Sequence, residues 1–529
     1  MNERDEERQG SGPAAGSAPG SGSGNAALPY VPAGVAPEGR KELPVSGEDH
    51  EALKALAASG LLADSDTLSD VIAQPDPLAV AAQESELEGR VAEIFAEIND
   101  RAPEHDVQPS TERVVACLDI LGNPQDSMRI IQLTGTNGKT STARMIAALL
   151  AEKGLRVGRF TSPHMHTVRE RFAIDGEPIS RAAFIDIYEQ ILPAIEMVDA
   201  KSREAGGPRM STFEVYAVLA YAAFADAPVE VAVMEVGMGG RWDATNVVDS
   251  EVAVLTTIEV DHERYLGSTR EEIAAEKVGI ISPKSTVVCA AQHADAAAVI
   301  ASAIAENSAR LVLEGRDLTL LDGKVGLGGQ MISVATPAAT YEDIPLSLLG
   351  AFQARNALLA LGAVEAFFGG GALDPLVVEH ALMSVSSPGR LDIVRTSPTV
   401  IADGGHNPAG VESAIRAVTE IFPGPIACVF AAMADKKIED MLGALEPHVG
   451  NIVVTQLRNP RAAELDELRQ LAEEVFGEDR VSEEYDLTDA LDVAASLADA
   501  AADGPAAPVV LAIGSIELAA RVREMARRV

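Results

Sequence analysis

The stretch IIQLTGTNGKTSTARMIAALL at residues 130–150 decides the fold class of this 529-residue chain. A short apolar run leads into a glycine turn, and the turn leads into a strongly helical segment. Backbone N–H groups of such a turn, together with the positive end of the helix dipole, bind phosphate oxygens. The stretch therefore predicts a phosphate-binding loop that joins a strand of a parallel sheet to a helix.

The loop follows the general phosphate-loop pattern G-x-x-x-x-G-K-[ST] except at its first position, where Leu133 stands. We expect Lys139 to reach the β and γ phosphates and Thr140 or Ser141 to offer a hydroxyl to Mg²⁺. The chain has only ten lysines, so a lysine inside a glycine turn indicates function rather than a plain Gly-Asn turn. The predicted nucleotide contacts of the loop are Gly135, Thr136, Asn137, Gly138, Lys139, Thr140 and Ser141.

Apolar runs alternate with helical segments along most of the chain, which predicts parallel sheets covered by helices on both faces. The runs of a first series lie at 128–133, 155–160, 229–235 and 251–258. A second series lies at 399–405, 426–433, 451–457 and 509–515. The predicted fold class is α/β, with a P-loop parallel-sheet ATPase domain over 84–390 and a smaller Rossmann-like α/β domain over 391–529.

The N-terminal 83 residues differ in composition from the rest. Residues 11–40 are mostly Gly, Ala, Ser and Pro, which cannot bury enough surface to offset the entropy of ordering. We predict a flexible extension over 1–83 that contains a short amphipathic helix at 48–62. Helical spacing then predicts helices at 84–98 and 110–122, the second with Ser110 as its N-cap.

Charge and composition exclude several classes of protein. The 42 basic and 80 acidic residues give 42 − 80 = −38, a net charge that repels phosphate backbones and anionic membranes. The sequence shows neither a signal peptide nor an apolar run long enough to span a membrane. We therefore expect a cytoplasmic protein that binds no nucleic acid and no membrane. The scattered Cys117, Cys289 and Cys428 are expected to be buried thiols.

Two polar residues follow predicted strands of the first series. Glu235 ends the apolar run 229–235, and His262 follows the run 251–258. A carboxylate at the end of a buried strand is costly unless it is paired or binds a metal. Because ligands collect at the carboxyl ends of parallel strands, both residues are expected near the phosphate loop. Mg²⁺ prefers oxygen, so the chemistry of His262 alone does not predict a magnesium ligand.

Eight motifs, in this order and spacing over about residues 84–529, resemble those of the folylpolyglutamate synthase/dihydrofolate synthase family in the Mur ligase superfamily. They are LGNPQ (121–125), GTNGKTST (135–142), TSPH (161–164), EVGMGGRWDATN (235–246), VDHERYLGST (260–269), IAAEKVGII (273–281), PGRLDIV (388–394) and DGGHNP (403–408). The resemblance implies ATP-dependent amide formation. A substrate carboxylate attacks the γ-phosphate, and the amine of glutamate attacks the resulting acyl phosphate.

The resemblance also implies roles for individual residues. ATP and L-glutamate would be co-substrates, the acceptor would be a folate or dihydropteroate, and the chain would be a monomer. The implied magnesium ligands, for two Mg²⁺ sites, are Ser162, Glu235, His262 and a carbamylated Lys277. The implied catalytic residues are Lys139, Glu235, His262 and Lys277. The implied acceptor contacts are Ser162, Pro163, His164 and Arg171, and Ser515, after Gly514, would contact glutamate. The remaining ATP contacts would be Asn356, Arg390, Asp403 and His406.

The sequence departs from the family pattern at Thr140, Trp242, Phe352 and Gly405. The GKTS sequence that Thr140 creates is typical of the peptide-ligating Mur enzymes, so a Mur-type peptide ligase acting on another carboxylate is the first alternative. Against it stand the LGNPQ and SPH motifs and the short chain ahead of the phosphate loop, which leaves no room for a UDP-binding domain. A nucleotide-binding switch without synthetic chemistry is the second alternative, and it would not need Lys277, His262 or DGGHNP.

Overall fold

The computed structural model describes residues 77–104, 110–326, 328–502 and 504–527. Most of the predicted N-terminal extension, including the helix predicted at 48–62, lies outside these residues. The last seven residues of that extension, 77–83, are helical, because the first helix begins at Pro77 rather than at Glu84. No helix in the described ranges combines the length and the hydrophobicity that a membrane crossing requires.

The strands and helices of the described residues alternate through most of the chain. The strands are β1 (Arg129–Thr134), β2 (Val157–Phe160), β3 (Phe172–Ile174), β4 (Glu177–Pro178), β5 (Val231–Glu235), β6 (Val252–Leu255), β7 (Thr286–Cys289), β8 (Arg310–Leu313), β9 (Thr319–Gly326), β10 (Gly329–Ala335), β11 (Thr340–Leu346), β12 (Asp392–Thr396), β13 (Thr399–Ala402), β14 (Ile426–Phe430), β15 (Asn451–Val454), β16 (Val481–Glu483) and β17 (Val509–Ile513). The α-helices are α1 (Pro77–Asn99), α2 (Glu112–Ile120), α3 (Lys139–Glu152), α4 (Arg181–Glu204), α5 (Thr212–Asp226), α6 (Glu263–Leu266), α7 (Arg270–Lys277), α8 (Ala294–Glu306), α9 (Ala351–Phe367), α10 (Pro375–Ser384), α11 (Pro408–Ile421), α12 (Ile438–Leu445), α13 (Leu465–Phe476), α14 (Leu487–Ala500) and α15 (Ile516–Arg527).

The first sheet has eight strands in the order β4-β3-β2-β5-β1-β6-β7-β8. Six neighbouring strands of this sheet are parallel, namely β2, β5, β1, β6, β7 and β8. Strands β3 and β4 add an antiparallel edge next to β2. Alternate residues of β1 enter different cores: Ile131 and Leu133 pack with α3 and α9, whereas Ile130 packs with α4 and α5. Both faces of the sheet are therefore covered by helices, as the continuous apolar runs predict.

A three-stranded antiparallel sheet, ordered β11-β10-β9, lies between β8 and α9 in the chain and was not predicted from the sequence. Seven of the eight residues of β9 are exposed, so no run of alternating apolar residues marks this strand. The inner residues Ile332, Val334 and Tyr341 pack against α9 and α10 in the same core as α3.

The second sheet has six strands in the order β12-β13-β17-β14-β15-β16, and only β12 is antiparallel to its neighbour. Helices α11, α12 and α13 cover one face, and α14 and α15 cover the other. The four strands predicted for this part of the chain are β13, β14, β15 and β17. The carboxyl end of β13 leads into the loop 403–407, which faces the phosphate loop.

Two local predictions can be compared with the structure. Helix α2 begins at Glu112, and the hydroxyl of Ser110 accepts a hydrogen bond from the N–H of Glu112, whereas Thr111 makes no side-chain capping hydrogen bond. The three cysteines are buried free thiols, as predicted.

Candidate active site

A cavity of about 1520 Å³ lies between the carboxyl ends of the two sheets. It is lined by the phosphate loop, by the segments that follow β2, β5 and β6, by the start of α9, and by the loops that follow β13, β14 and β17. Nearly all the sequence-predicted site residues line it. The carboxyl ends of parallel strands thus bring together residues that lie hundreds of positions apart in the chain.

Two glycines give the phosphate loop its shape. Gly135 has φ +149°, and a Cβ there would lie 1.8 Å from Thr256 Oγ1. Gly138 has φ +87° and caps α3, and a Cβ there would lie 2.6 Å from Asn356 Oδ1. Any larger residue at these two positions would push the loop away from β6 or α9. With glycine at both, no side chain covers the backbone N–H groups of the loop at the cavity.

Two lysines converge on the carbonyl oxygen of Gly135. Lys139 Nζ donates to it at 3.0 Å and to Thr136 O at 3.2 Å, and Lys277 Nζ donates to it at 2.7 Å. Desolvation lowers the pKa of both ammonium groups, and the charge of Lys139 lowers the pKa of Lys277 further. Lys277 is only 4% exposed, so it is not an ordinary surface lysine of a helix.

The carboxylate of Glu235 is held at the end of β5 beside the phosphate loop. Thr140 Oγ1 donates to its Oε1 at 2.8 Å, and the N–H of Ser162 donates to its Oε2 at 3.3 Å. Burial raises the pKa of Glu235, while Lys139 and the Thr140 hydrogen bond act in the opposite direction. This carboxylate is 1% exposed and forms no direct ion pair with any residue that the structure describes, so it is a good candidate to bind a cation.

The donor chemistry at this point fits Mg²⁺. Thr140 and Glu235 offer adjacent oxygens, and Mg²⁺ in nucleotide sites is usually held by one or two protein oxygens, with phosphate and water completing its shell. Among the described residues, no three His, Cys, Asp or Glu side chains already surround a common point as metal ligands. Ser141 is the other residue whose hydroxyl was predicted to bind Mg²⁺. Its Oγ lies 3.0 Å from Ser387 Oγ and accepts a hydrogen bond from Gln353, so this hydroxyl already has other partners.

Asp261, which the sequence analysis did not single out, connects the two sheets. Its Oδ1 accepts from Lys436 Nζ at 2.7 Å, and its Oδ2 accepts from Asn407 Nδ2 at 3.0 Å. Asn407 and Asn137 of the phosphate loop also exchange two amide hydrogen bonds of 3.2 Å each. His406 Nε2 lies 3.7 Å from the same Asp261 carboxylate.

A second lysine repeats the arrangement one residue further on. Lys437 Nζ lies 2.5 Å from Glu263 Oε1, so consecutive lysines pair with the two acids that flank His262. We call the pairs Lys436–Asp261 and Lys437–Glu263 the lysine clasp. Burial raises the pKa of Asp261, but the opposing charges of His262, Lys436 and His406 bring it well below its usual range.

The histidines beside the clasp are held as weak bases. Burial lowers the pKa of His262 to about 4 against the opposing effect of Asp261. Burial and the charge of Lys436 likewise lower the pKa of His406 to about 4, and its Nδ1 lies 2.9 Å from Gly404 O. Both imidazoles are therefore neutral near pH 7, which is the form that can bind a cation or accept a proton.

The structure places Arg171 behind the cavity wall. Its Nη2 lies 2.8 Å from Glu104 Oε1, its guanidinium stacks 4.7 Å from the centre of the Tyr216 ring, and its Nε donates to His164 Nδ1 at 2.9 Å. Arg171 is 3% exposed and is not part of the cavity lining, whereas His164 and Pro163 are. In this geometry Arg171 does not line the cavity, so it is not placed for the direct substrate contact that the resemblance implies.

The remaining predicted residues line the cavity from the second sheet and from α9. Asp403 accepts from the N–H groups of Leu391 and Gly405, and burial raises its pKa. Arg390 donates to Gly389 O, Asn356 donates to Gln353, and the Ser515 hydroxyl caps the first turn of α15 through the N–H of Glu517. The predicted ATP and glutamate contacts are thus grouped in one cavity.

Sequence reasoning missed Asp261, Asn407 and Lys436. Asp261 and Asn407 lie inside the quoted motifs, next to His262 and His406, and only the two histidines were predicted as site residues. Lys436 and Lys437 were visible as a consecutive pair in a chain with ten lysines, and this scarcity is the signal that could have identified them.

Comparisons with known proteins agree with this geometry. The family model of the Mur ligase middle domain matches residues 133–364, and that of the Mur ligase, glutamate ligase domain, matches residues 389–516. Dihydrofolate synthase/folylpolyglutamate synthase of Mycobacterium tuberculosis is 42% identical over 455 residues, which are 84% of this chain and 91% of that protein. Folylpolyglutamate synthase of Lacticaseibacillus casei is 33% identical, over 78% of this chain and 93% of that protein.

Solved structures give the same result. The M. tuberculosis folylpolyglutamate synthase complexed with ADP and AMPPCP superposes with a TM-score of 0.79 at 40% identity, covering 83% of this chain and 99% of that one. A folylpolyglutamate synthase complex with AMPPCP and folate superposes with a TM-score of 0.70 at 30% identity, covering 82% and 99%. Fold and site thus define a Mur ligase. Within that class, the chain belongs to the folylpolyglutamate synthase/dihydrofolate synthase family.

Proposed function

We propose that this chain is an ATP-dependent ligase that adds L-glutamate to a folate-type acceptor, and to dihydropteroate, through an acyl phosphate. One observation carries the proposal: the phosphate loop and the DGGHNP loop meet in one cavity, joined by the Asn137–Asn407 amide pair. The names of the relatives and the AMPPCP and folate complexes of the similar structures support the choice of co-substrate and acceptor.

The proposed reaction has two steps. An acceptor carboxylate oxygen attacks the γ-phosphorus of ATP and ADP leaves, which turns a poor electrophile into an acyl phosphate. The amine of glutamate then attacks the acyl carbon, and phosphate leaves as the amide forms. Because phosphoryl transfer depends mostly on positioning and charge neutralisation, the chain needs its phosphate loop and Lys139 rather than a nucleophile of its own.

We propose Thr140 and Glu235 as oxygen ligands of Mg²⁺, with Ser162 and His262 completing two sites. The bound ion would neutralise phosphate charge. The chain itself supplies the orientation: Thr140 donates to Glu235, and the N–H of Ser162 holds the second carboxylate oxygen. Lys139 then lies beside the loop carbonyls, where a γ-phosphate would draw its ammonium away from Gly135 and Thr136.

We propose that Lys277 is carbamylated in the active enzyme. Its amine is buried and lies against Gly135 O, close to Lys139, and both burial and the neighbouring charge favour the neutral form. The neutral nitrogen attacks CO₂, a C–N bond forms as one C–O π bond opens, and the nitrogen releases a proton to solvent. A carbamate anion then stands where an ordinary lysine carries a cation. That anion would provide the oxygen ligand that a second Mg²⁺ requires.

The other assignments follow from position in the cavity. Asn356, Arg390, Asp403 and His406 would contact ATP, Ser515 would contact glutamate, and the acceptor would lie beside Pro163 and His164. We retain the division into an ATP-binding domain over 84–390 and a glutamate-ligase domain over 391–529. We propose that the enzyme acts as a cytoplasmic monomer.

The test is ADP release from ATP with each component omitted in turn. Release should require Mg²⁺, L-glutamate and an acceptor together, with tetrahydrofolate and dihydropteroate both accepted. Turnover with a UDP-muramoyl peptide but with neither pteridine acceptor would identify a peptide ligase instead. Nucleotide binding without turnover on any acceptor would identify a switch.

A further inference from the structure

His164 lines the cavity, and its two ring nitrogens differ in their contacts. Its Nδ1 lies 2.9 Å from Arg171 Nε, and Nε2 has no hydrogen-bond partner among the described residues. An arginine has only donors, so Nδ1 must accept and carries no proton. The proton of the neutral ring is therefore on Nε2.

The surroundings fix both the orientation of Arg171 and that of the ring. Glu104 pairs with Arg171 Nη2 at 2.8 Å, and the guanidinium lies over the ring of Tyr216. The His164 ring meets Phe95 edge to face, with 5.6 Å between the ring centres. A ring held at Nδ1 and packed against an aromatic side chain cannot turn without losing both contacts.

We infer that His164 is a fixed Nε2–H donor that binds an oxygen acceptor of the folate-type substrate, and that Arg171 is a positioning residue that sets its tautomer. The inference rests on the proposed function for the identity of the substrate. It changes the role of Arg171: its charge is paired with Glu104 and does not meet the substrate. The ligand atom is a carbonyl or carboxylate oxygen, because either accepts one hydrogen bond from a neutral ring.

Two substitutions separate the nitrogens. In His164→Asn the side-chain amide reaches the position of Nδ1, where its oxygen can still accept from Arg171, but nothing replaces Nε2–H. In His164→Gln the amide N–H reaches the position of Nε2. We expect KM for the acceptor to rise roughly fivefold in H164N, because one hydrogen bond to the acceptor is lost. KM for ATP and kcat should change less than twofold. H164Q should recover most of the loss.

His380→Asn is the matched control. His380 is 60% exposed on α10 and pairs with Glu152, away from the cavity. H380N should have no effect on any kinetic constant. Equal acceptor KM values for H164N and the wild type would overturn the inference, and so would equal losses in H164N and H164Q.

A direct readout does not depend on activity. In the full chain labelled with ¹⁵N-histidine, the His164 signals are the set missing from H164Q among the nine histidines. Nδ1 should show the shift of an unprotonated ring nitrogen and Nε2 that of a protonated one. A protonated Nδ1 would overturn the tautomer assignment even if the enzyme ligates folate. The expected pattern in a chain without ligase activity would uphold the tautomer and reject only the proposed substrate.

Discussion

Lys436 Nζ lies 2.7 Å from Asp261 Oδ1, and the side chains of this pair are only 11% and 8% exposed. The two residues belong to segments that follow β14 and β6, on different sheets. The pair therefore joins the two halves of the cavity at a position where water does not screen the charges. It does so beside the phosphate loop, which Asn407 contacts from the same side.

Breaking this pair should destabilise the closed cavity. Asp261→Asn leaves the Lys436 charge buried and unpaired, which costs about 3 kcal/mol. We expect D261N to lower kcat/KM for ATP more than tenfold and to increase the radius of gyration in small-angle scattering. Lys324→Gln removes a lysine that is 70% exposed in its pair with Asp322 and is the control, with no effect expected. Unchanged scattering and kinetics in D261N would contradict a role of the clasp in closure.

The buried position of Lys277 leads to a test of its modification. Lys277→Ala should abolish most turnover, because the proposed carbamate oxygen is lost, whereas the melting temperature should fall little. Short carboxylic acids in solution should restore part of the activity. In ¹³C NMR with labelled bicarbonate, the wild type should show a carbamate signal that K277A lacks. Near wild-type turnover of K277A without added acid would make Lys277 structural and remove the second metal site.

The phosphate loop should not tolerate a methyl group at its first glycine. Gly135→Ala would place Cβ 1.8 Å from Thr256 Oγ1, so the loop must move off β6. We expect AMPPCP binding, measured by calorimetry, to weaken more than tenfold. Gly154→Ala is the control, since Gly154 also has positive φ (+85°) but open space around its Cβ. Its expected cost is a conformational strain of about 1 kcal/mol in urea unfolding, without loss of nucleotide affinity.

Glu365 should make stability depend on pH. It is 3% exposed on α9, accepts from Tyr341 Oη at 2.7 Å and from Thr336 Oγ1 at 2.9 Å, and burial raises its pKa. A raised carboxyl pKa means that the folded state favours the proton. The stabilisation is therefore present at acidic pH and is lost as pH rises through the folded-state pKa.

Glu365→Gln keeps both hydrogen bonds and does not titrate. The melting temperature of E365Q minus that of the wild type should therefore be greater at pH 7 than at pH 4. Glu342→Gln, next to Tyr341 on the exposed side of β11, should show a much smaller difference between the two pH values. A constant difference for E365Q across this range would mean that Glu365 does not titrate differently in the folded state.

The sequence was sufficient to place the strands that form the site. Each predicted strand of the two series overlaps an observed one, because a strand buried on both faces must be apolar throughout and its turn residues mark its ends. The exposed strand β9 carries no such constraint and was missed. Helix α1 begins seven residues before its predicted start. The Asp-Pro sequence at 76–77 is typical of a helix start, and this signal was missed because it lies in an acidic, proline-containing stretch.

The candidate site could be predicted where one short segment carries the chemistry. Lys139 was predicted from the phosphate loop, and Glu235 was predicted from the end of its strand. Partners that come from distant parts of the chain could not be predicted: Asp261 and Lys436 are 175 positions apart, and Glu104 lies on a segment well before Arg171. An arginine in a motif looks the same in sequence whether its charge meets a substrate or a neighbouring carboxylate.

The Asn137–Asn407 pair also has a consequence for how the enzyme is made. The two residues are 270 positions apart, and all strands of the first sheet precede those of the second. At a translation rate of about 5–20 residues per second, the phosphate loop leaves the ribosome roughly 15–50 s before its partner loop. During that interval the nascent chain has only one wall of its active site. Ligation can therefore begin only after the second sheet has been synthesised, whereas nucleotide can bind to the exposed loop earlier.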